Sequence, residues 1–405
     1  MSFPFGCGEV WKLNDIKCFR KYFDRIVVVP LSFGGQPEQV VDLPEDIELV
    51  SPLFPAEVDI LARPPRGVTR LRIRHLLSLL WELCRCIGTA FPQRMSRTVV
   101  AYLRATSIAQ QIARSRVLET APGETVSCFF FWGYGAAEGL PWLTGCDRAV
   151  VGFHGYDLYE ERRGGFPFPF RERMLARIRL AAPCSEHGTR YLQEKYPQYA
   201  SNVRPRTLGT QDDGVSPWAP SDRLRLLSCA FVSPVKRLDL IVEALARYPH
   251  EFEWTHIGGG AGLEDLKNLA HQKLGAGSVV FTGNLSNAEV RQHMASNEFD
   301  IFLNTSSSEA LPVSIMEALS YGIPVAAPDV GGVSQLVDSG TGNLLPADPS
   351  ADLIAESLLA FKSASEAEQQ QRRQRCREKF LTEFRVPDVI EKFAEVAFGD
   401  EALLN

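Results

Sequence analysis

Two series of short β-branched runs, each run followed by a helical pattern, occupy the two halves of this 405-residue chain. The first half carries DRIVVVPL, VSCFFFW and RAVVGFHG, and the second carries LRLLSCAFV, FEWTHIGGG, SVVFTG, DIFLNTS and IPVAAPDV. Such alternation is typical of parallel sheets that are covered by helices. A segment rich in Pro, Gly and Ser, from Pro205 to Pro220, separates the two series. The pattern therefore predicts an α/β protein with two Rossmann-like domains that face a cleft.

The length of the chain supports this division. Domains commonly hold about 100 to 200 residues, so the chain is expected to have two cores. We place the N-terminal domain at residues 1–207, the C-terminal domain at 208–385 and a final helical segment at 386–405. That last segment has apolar residues at helical spacing, and we expect it to cross back to the N-terminal domain.

Composition and charge exclude several classes of partner and site. A formal net charge of -6 argues against a nucleic-acid binder that works by neutralising phosphates. The nine cysteines are scattered, with neither zinc-site nor redox CxxC spacing, which favours a reduced cytosolic protein. The N-terminus MSFPFGCGEVW has no signal-peptide pattern, and no apolar window reaches the roughly 18 residues of a spanning helix. We therefore expect a cytoplasmic protein.

The most lipid-like stretch, HLLSLLWELCRCIGTAF, follows an arginine-rich segment with Arg66, Arg70, Arg72 and Arg74. Glu82 and Arg85 interrupt its apolar character. Two interpretations stay open. The stretch is either a helix that lies on the inner face of the cell membrane or an amphipathic helix packed on its own domain.

The segment from Asp300 to Gly332 is the most informative about a binding site. Its pattern predicts a strand, a loop, a helix and a second strand. Pro312 suits the first helical turn, and a Gly–Ile–Pro sequence at 322–324 ends the helix. The backbone N–H groups of that first turn would be unpaired at the positive end of the helix dipole. They belong to Leu311, Val313 and Ser314. This turn is therefore a predicted anion site, and a diphosphate fits it.

Two glutamates bracket the predicted anion site. Glu317 lies one helical turn after Val313 and shares its face, whereas Glu309 lies on the loop before the helix. A carboxylate that accepts hydrogen bonds from sugar hydroxyls contributes about 1.5 to 3 kcal/mol per bond. The pair therefore indicates hydroxyl clamps for a nucleotide sugar, with ribose at one end and hexose at the other.

The spacing of these glutamates, E-x7-E within EALPVSIMEALSYGIPVAAPDVGG, resembles the signature of the family-4 retaining glycosyltransferases of GT-B fold. The resemblance is closest to the members that build bacterial polysaccharides. It runs over most of the chain and is strongest from Leu226 to Pro346. It implies that Glu309 contacts the donor sugar and Glu317 the ribose, with the backbone from Ala310 through Leu311, Pro312, Val313 and Ser314 on the diphosphate.

Two further segments of the second half resemble the same family. SCAFVSPVKRLDLIVEAL resembles its strand and phosphate-binding loop, which implies that Lys236, with Arg237 beside it, meets the donor diphosphate. A cation there also suits a leaving group whose negative charge grows during reaction. Phe231 stands five residues before Lys236, where the family commonly has arginine. WTHIGGGAGLEDL resembles the glycine turn near the nucleobase, with Gly258 at the closest approach.

In the first half, AVVGFHGYDLYEE places His154 directly after a β run. H-x-x-D in such a loop resembles the family element that reaches the reacting end of the donor sugar. Asp157 orients that histidine or contacts acceptor or sugar, and a turn or cap role is the alternative. FPFGCGE resembles the family's Gly-rich loop, with Gly6 and Gly8 close to the donor. The strand expected before this loop is missing, so we expect the true start to lie upstream.

Together these features predict a retaining, metal-independent glycosyltransferase of polysaccharide biosynthesis. It would move a sugar from a nucleotide diphosphate donor to a hydroxyl of a glycan or lipid-linked glycan, with His154, Lys236 and Glu309 as catalytic residues. No cofactor or metal is expected, since no D-x-D follows a suitable strand. A nucleotide-sugar epimerase and a non-catalytic GT-B subunit remain alternatives. Nucleobase, sugar, acceptor and oligomeric state are not fixed by the sequence.

Overall fold

The computed structural model describes residues 3–5, 11–32, 41–55, 73–85, 91–275 and 278–399. The chain divides into two compact units. The first comprises Met1–Cys184, Gly188–Arg206 and Ile390–Asn405, and the second comprises Ser185–His187 and Thr207–Val389. Each unit is built around parallel strands, as the alternation of strand and helix patterns predicts.

The strands of the described residues form two small sheets in the first unit and one large sheet in the second. In chain order they are β1 (Ile26–Val28), β2 (Ile47–Leu49), β3 (Ser127–Phe130), β4 (Arg148–Phe153), β5 (Leu180–Pro183), β6 (Leu224–Cys229), β7 (Phe252–Ile257), β8 (Val279–Gly283), β9 (Ile301–Leu303), β10 (Val325–Pro328) and β11 (Gly342–Leu345). In the first unit β1 pairs with β2, and β4 lies between β3 and β5. All of these pairings are parallel.

The helices follow the strands in alternation. They are α1 (Lys12–Phe19), α2 (Ile73–Arg85), α3 (Phe91–Ser115), α4 (Gly155–Leu158), α5 (Arg171–Leu175), α6 (Glu186–Lys195), α7 (Leu238–Leu245), α8 (Leu263–Leu274), α9 (Asn287–Ser296), α10 (Val313–Ser320), α11 (Val333–Leu336), α12 (Ala351–Lys362), α13 (Glu366–Glu383) and α14 (Asp388–Phe398). Short 3-10 helices lie at Arg20–Tyr22, Gly135–Trp142, Glu160–Arg163, Pro197–Asn202 and Pro234–Lys236. None of the helices in the described ranges has the length and apolar character that a membrane crossing requires.

The six-stranded sheet of the second unit has the order β11-β10-β9-β6-β7-β8. Read from β8 and counted within the unit, this is the 3-2-1-4-5-6 order of the Rossmann fold. The chain progresses outward from β6 in one direction and from β9 in the other. The loops after β6 and β9 therefore diverge, and the crevice between them is where ligands bind in such sheets.

The core of the second unit explains why its central strand β9 is apolar at every position. Ile301, Phe302 and Leu303 in β9 are all buried, because helices cover both faces of a parallel sheet. Leu226 of β6 and Trp254 of β7 belong to the same hydrophobic cluster. This packing fixes the strand ends from which the site loops emerge.

Aromatic residues from distant parts of the chain pack together in the first unit. Phe19 of α1 lies 5.1 Å from Phe398 of α14 and 5.3 Å from Phe129 of β3, measured between ring centroids. Edge-to-face contacts of this kind add about 0.5 to 1.5 kcal/mol each beyond buried area. The last helix therefore belongs to the core of the first unit.

We predict that Phe302→Ala destabilises the second unit by about 3 to 5 kcal/mol, because it opens a cavity at a fully buried position of the central strand. Urea denaturation measures the change in unfolding free energy. Val280→Ala is the control, because Val280 lies on β8 at the edge of the sheet with 45% of its side chain exposed. Equal losses in both variants would contradict the assignment of β9 to the core.

Candidate active site

Lys236 and Glu309 meet at the point where the strand order reverses. Lys236 ends the 3-10 turn that follows β6, and Glu309 lies on the loop that follows β9. The Lys236 ammonium is 2.6 Å from Glu309 Oε1, and the Asn304 side-chain amide donates to the same oxygen at 3.3 Å. The structure thus brings a cation and a carboxylate together, although they are far apart in sequence.

The two loops are joined by hydrogen bonds that do not involve the charged groups. Thr305 Oγ1 donates to the carbonyl oxygens of Lys236 at 2.8 Å and Arg237 at 3.0 Å. The backbone N–H of Ser307 donates to the Val235 carbonyl at 2.8 Å. The relative position of Lys236 and Glu309 is therefore set by the backbone and not only by their ion pair.

Arg237, predicted beside the diphosphate, has its guanidinium group occupied by the protein. It donates from Nε to the Thr305 carbonyl at 2.8 Å, contacts the Ser306 and Ala347 carbonyls and pairs with Asp348 at 2.6 Å. Its backbone is left-handed, with φ 47°. This geometry makes Arg237 a brace for the loop after β9.

The first turn of α10 presents backbone N–H groups beside this pair. Pro312 caps the helix with φ -74° and ψ 111°, and no side chain caps the turn. Among the described contacts, the N–H groups of Leu311, Val313 and Ser314 have no hydrogen-bond partner. Ala310 and Pro312 complete the predicted run from Glu309 to Ser314. The turn therefore has the donors that an anion requires.

Two glycines that the sequence predictions did not include shape the loop before α10. A Cβ on Gly331 would lie 1.8 Å from the Glu309 carbonyl oxygen, and one on Gly332 would lie 2.4 Å from that of Ala310. Gly331 also has a left-handed φ of 58°. They follow β10, so the rule that ligand loops follow strands points to them, as it does to Asn304 after β9.

Glu317 lies on α10 and is 5% exposed. Its Oε1 accepts a hydrogen bond from the Asn287 side chain at 3.1 Å, and Arg291 donates to the oxygen of that same amide group. Arg291 also lies 2.8 Å from Asp213, to which the Tyr321 hydroxyl donates. Glu317 is thus held through a chain of polar contacts on α9, α10 and the segment that leads into β6.

The pKa of Glu317 is raised to about 7, chiefly by burial and to a smaller extent by the charge of Asp213. The hydrogen bond from Asn287 and the charge of Arg291 oppose this shift. The pKa of Cys229 is also raised, chiefly by burial and to a smaller extent by the charge of Glu317. Desolvation is the largest cause, so a ligand that donates hydrogen bonds to this carboxylate would stabilise its ionised form.

The glycine turn after β7 packs directly on the loop after β6. A Cβ on Gly258 would lie 2.0 Å from the Ala230 carbonyl oxygen, and φ at Gly258 is 137°. Gly260 approaches the Val232 carbonyl in the same way, at 2.6 Å. Phe231, in the loop that they contact, is 71% exposed. The glycines therefore serve close backbone packing at the edge of the candidate site.

In the first unit, His154 follows β4 and caps α4. Its ring lies 4.2 Å from that of Trp132 and 6.1 Å from that of Trp11, and the residue is 9% exposed. The Asp157 carboxylate accepts the backbone N–H groups of His154 and Gly133, both at 2.6 Å. Asp157 thereby fixes the turn that carries the histidine.

Burial raises the pKa of Asp157 to about 6, and its hydrogen bonds and the charge of Arg171 limit that rise. Arg171 donates from Nη2 to the Asp157 carbonyl oxygen at 2.6 Å.

Gly6 and Gly8, predicted near the donor, lie outside the described residues. Within the described residues no group of three or more His, Cys, Asp or Glu side chains is arranged to hold a metal ion.

The fold and the position of these groups define the chain as a GT-B protein. The structure of HepE from Anabaena, solved in complex with UDP and glucose, has a TM-score of 0.58. The superposition covers 98% of this chain and 96% of that one at 16% identity, which shows the fold alone. The second unit then identifies the family more closely. Residues 216–379 match the family described as Glycosyl transferases group 1, so the chain carries a domain of that family.

Curated relatives include glycosyltransferases of bacterial polysaccharide biosynthesis. The amylovoran biosynthesis glycosyltransferase AmsK of Erwinia amylovora is 27% identical over 62% of this chain and 63% of its own. A GDP-mannose-dependent alpha-(1-6)-phosphatidylinositol monomannoside mannosyltransferase of Mycobacterium tuberculosis (strain ATCC 25618 / H37Rv) is 24% identical over 53% of this chain and 60% of its own. The match spans about three fifths of the length of each of these two relatives.

The ionisation of Glu317 gives a testable pH dependence. Its folded-state pKa is above the usual 4.5, so the stability it contributes is complete below about pH 4.5 and is lost as the pH rises through about 7. We expect the unfolding free energy of the wild type, relative to Glu317→Gln, to fall by up to about 3 kcal/mol between about pH 5 and about pH 8. Chemical denaturation at both pH values measures it.

The control for this pH prediction is Glu264→Gln, because the Glu264 side chain is 78% exposed. Its difference in stability from the wild type should be the same at both pH values. A Glu317→Gln difference that is equally independent of pH would show that Glu317 titrates normally in the folded protein.

Gly331→Ala should displace the loop that carries Glu309, because the new methyl group would overlap the Glu309 carbonyl oxygen at a left-handed φ. We expect the thermal unfolding midpoint to be several degrees lower than that of the wild type. Gly165→Ala is the matched control, since Gly165 has φ 72° and no atom within 4 Å of a Cβ. If both variants behave alike, backbone strain alone accounts for the effect.

Proposed function

We propose that this chain is a retaining, metal-independent glycosyltransferase that uses a nucleotide diphosphate sugar as donor. The acceptor is a hydroxyl of a glycan or lipid-linked glycan in polysaccharide biosynthesis. The contact between Lys236 and Glu309 carries the proposal. Since these groups touch each other, both can contact one ligand at the junction between its diphosphate and its sugar.

The diphosphate is assigned to Lys236 and to the first turn of α10. Both supply positive electrostatic potential, from an ammonium group and from backbone N–H groups with the helix dipole. Such groups stabilise a leaving group whose charge increases in the transition state. They would perform the role that a divalent cation performs in metal-dependent transferases, which is why no metal is included in the proposal.

The hydroxyl groups of the donor are assigned to the two glutamates. Glu309 would accept hydrogen bonds from the sugar, and Lys236 would exchange its contact with Glu309 for one with phosphate. Glu317 would accept from the vicinal hydroxyls of the ribose, with Asn287 holding the carboxylate in place. His154, from the first unit, is proposed for the reacting end of the sugar.

The proposed reaction forms a bond between the acceptor oxygen and the anomeric carbon and breaks the bond between that carbon and the diphosphate oxygen. The acceptor proton passes to the departing phosphate on the same face of the sugar, so the configuration is retained. The protein contributes alignment and charge stabilisation. This assignment rests on the resemblance of the Glu309 and Glu317 motif to retaining enzymes.

We expect one class of nucleotide sugar to raise the thermal unfolding midpoint with EDTA present. Glu317→Ala should weaken donor binding by about 10- to 100-fold, since it removes charge-assisted hydrogen bonds. Lys236→Ala should lower kcat by about 100-fold or more, because it removes the cation at the leaving group. Titration with UDP-, GDP- and ADP-sugars, followed by an assay of nucleotide release, measures both effects.

Glu264→Ala and Lys267→Ala are the matched controls. They remove the same two charges from an exposed ion pair on α8. Neither should change donor binding. Donor conversion without any acceptor would identify an epimerase. Binding without conversion would identify a non-catalytic subunit, and no response to any nucleotide would refute the proposed donor site.

A further inference from the structure

Helix α2 of the first unit exposes four large apolar side chains on one face. Leu76, Leu77, Leu80 and Trp81 are 43%, 61%, 49% and 45% exposed. Their spacing of i, i+1, i+4 and i+5 places them side by side along the helix. A contiguous group of this kind marks an interaction surface, unlike single apolar residues scattered over a surface. We call these four residues the α2 apolar face.

The opposite face of α2 is the one that packs on the protein, and it carries polar residues. Ser78 and Glu82 are 9% and 8% exposed, and Leu79 packs against the cluster of Ala101, Tyr102 and Phe170. The Glu82 carboxylate accepts the backbone N–H of Phe170 at 3.2 Å. This bond ties α2 to the loop before α5. These inner contacts fix the helix rotation, because turning the α2 apolar face inward would expose Leu79 and break the hydrogen bond to Glu82.

Arginines that have no carboxylate partner among the described residues lie next to this helix. The Arg173 guanidinium is 5.3 Å from the ring centroid of Trp81. Arg94, near the start of α3, makes no hydrogen bond or ion pair within the part of the chain that the structure describes. Arg97 is exposed; its side chain contacts the Phe166 ring and donates to the Arg163 carbonyl. Apolar residues, a tryptophan and unpaired arginines together match an interface with anionic lipid.

A cavity of about 260 Å³ lies beside α2 and is lined in part by Glu82, Arg94, Arg97 and Arg171. Two of its carboxylates are already engaged, because Glu82 accepts a backbone N–H and Glu160 pairs with Lys195 at 2.6 Å. Arg94 Nε and Arg171 Nη1 have no acceptor among the described residues. The cavity therefore offers guanidinium donors to a phosphate group.

We propose that the α2 apolar face docks on an anionic lipid surface, with Arg94, Arg97 and Arg173 at the level of the phosphate groups. The net charge of the chain is -6, so a negative surface repels the molecule as a whole. Binding must then come from this local combination of apolar area and cations.

The experiment is vesicle co-sedimentation of the full chain, with vesicles of phosphatidylcholine alone or with equal parts of phosphatidylglycerol. We expect binding to the anionic vesicles only. Leu77→Gln with Leu80→Gln should weaken it at least about 10-fold, because the buried apolar area is lost. Arg97→Gln with Arg173→Gln should weaken it about 25-fold, at about fivefold for each charge.

The controls are Leu381→Gln, at an exposed leucine of α13, and Arg190→Gln, at an exposed arginine of α6. Both should sediment as the wild type does. Equal binding of the leucine variant and the wild type, or equal binding to both kinds of vesicle, would overturn the proposal. A dimer that the leucine variant dissociates, without vesicle binding, would overturn it in favour of a second copy. Since sedimentation needs no sugar transfer, the result is independent of the proposed activity.

Discussion

The divergence of the loops after β6 and β9 is the constraint on which the candidate site depends. Two adjacent central strands end side by side, and the chain leaves them in opposite directions. The Thr305 hydroxyl and the Ser307 backbone N–H each donate a hydrogen bond to a carbonyl oxygen of the loop after β6. Lys236 and Glu309 are therefore neighbours because of strand order, and the ion pair that they form is a consequence of it.

One buried carboxylate in each unit shows how its hydrogen-bond partners limit its role. Glu317 and Asp157 are both almost fully buried, and both have raised pKa values, of about 7 and about 6. Their partners differ. Asp157 accepts two backbone N–H groups and so fixes a turn, whereas Glu317 accepts one side-chain amide and keeps capacity for further donors. The same residue chemistry thus suits structure at one position and ligand contact at the other.

Helix α2 shows the opposite use of burial. Ser78 and Glu82 face the protein, whereas the four residues of the α2 apolar face are exposed. That exposure costs hydrophobic free energy in water at about 25 cal/mol for each Å². The hydrogen bond from Phe170 to Glu82 offsets part of that cost and holds the helix rotation. The cost would be recovered on a lipid surface, so the arrangement is intelligible as a preparation for docking.

The fold class follows from the sequence alone, and so does the place of the predicted anion site along the chain. Alternating runs predict parallel sheets because strand and helix periodicities are local, and Pro312 and the E-x7-E spacing are local too. The resemblance to retaining glycosyltransferases rested on these same short segments. For the same reason the loop containing Glu309 and the helix containing Glu317 could be placed before any tertiary contact was known.

The partner of each side chain, in contrast, depends on the tertiary structure. No local pattern shows that Arg237 braces carbonyls 68 to 110 positions away, or that Asn287 and Asp213 support Glu317. Residue spacing also does not show which face of α2 packs on the protein. An apolar stripe usually predicts burial, but the α2 apolar face is exposed. These outcomes depend on long-range packing, which balances the desolvation of many groups at once and so cannot be read from neighbouring residues.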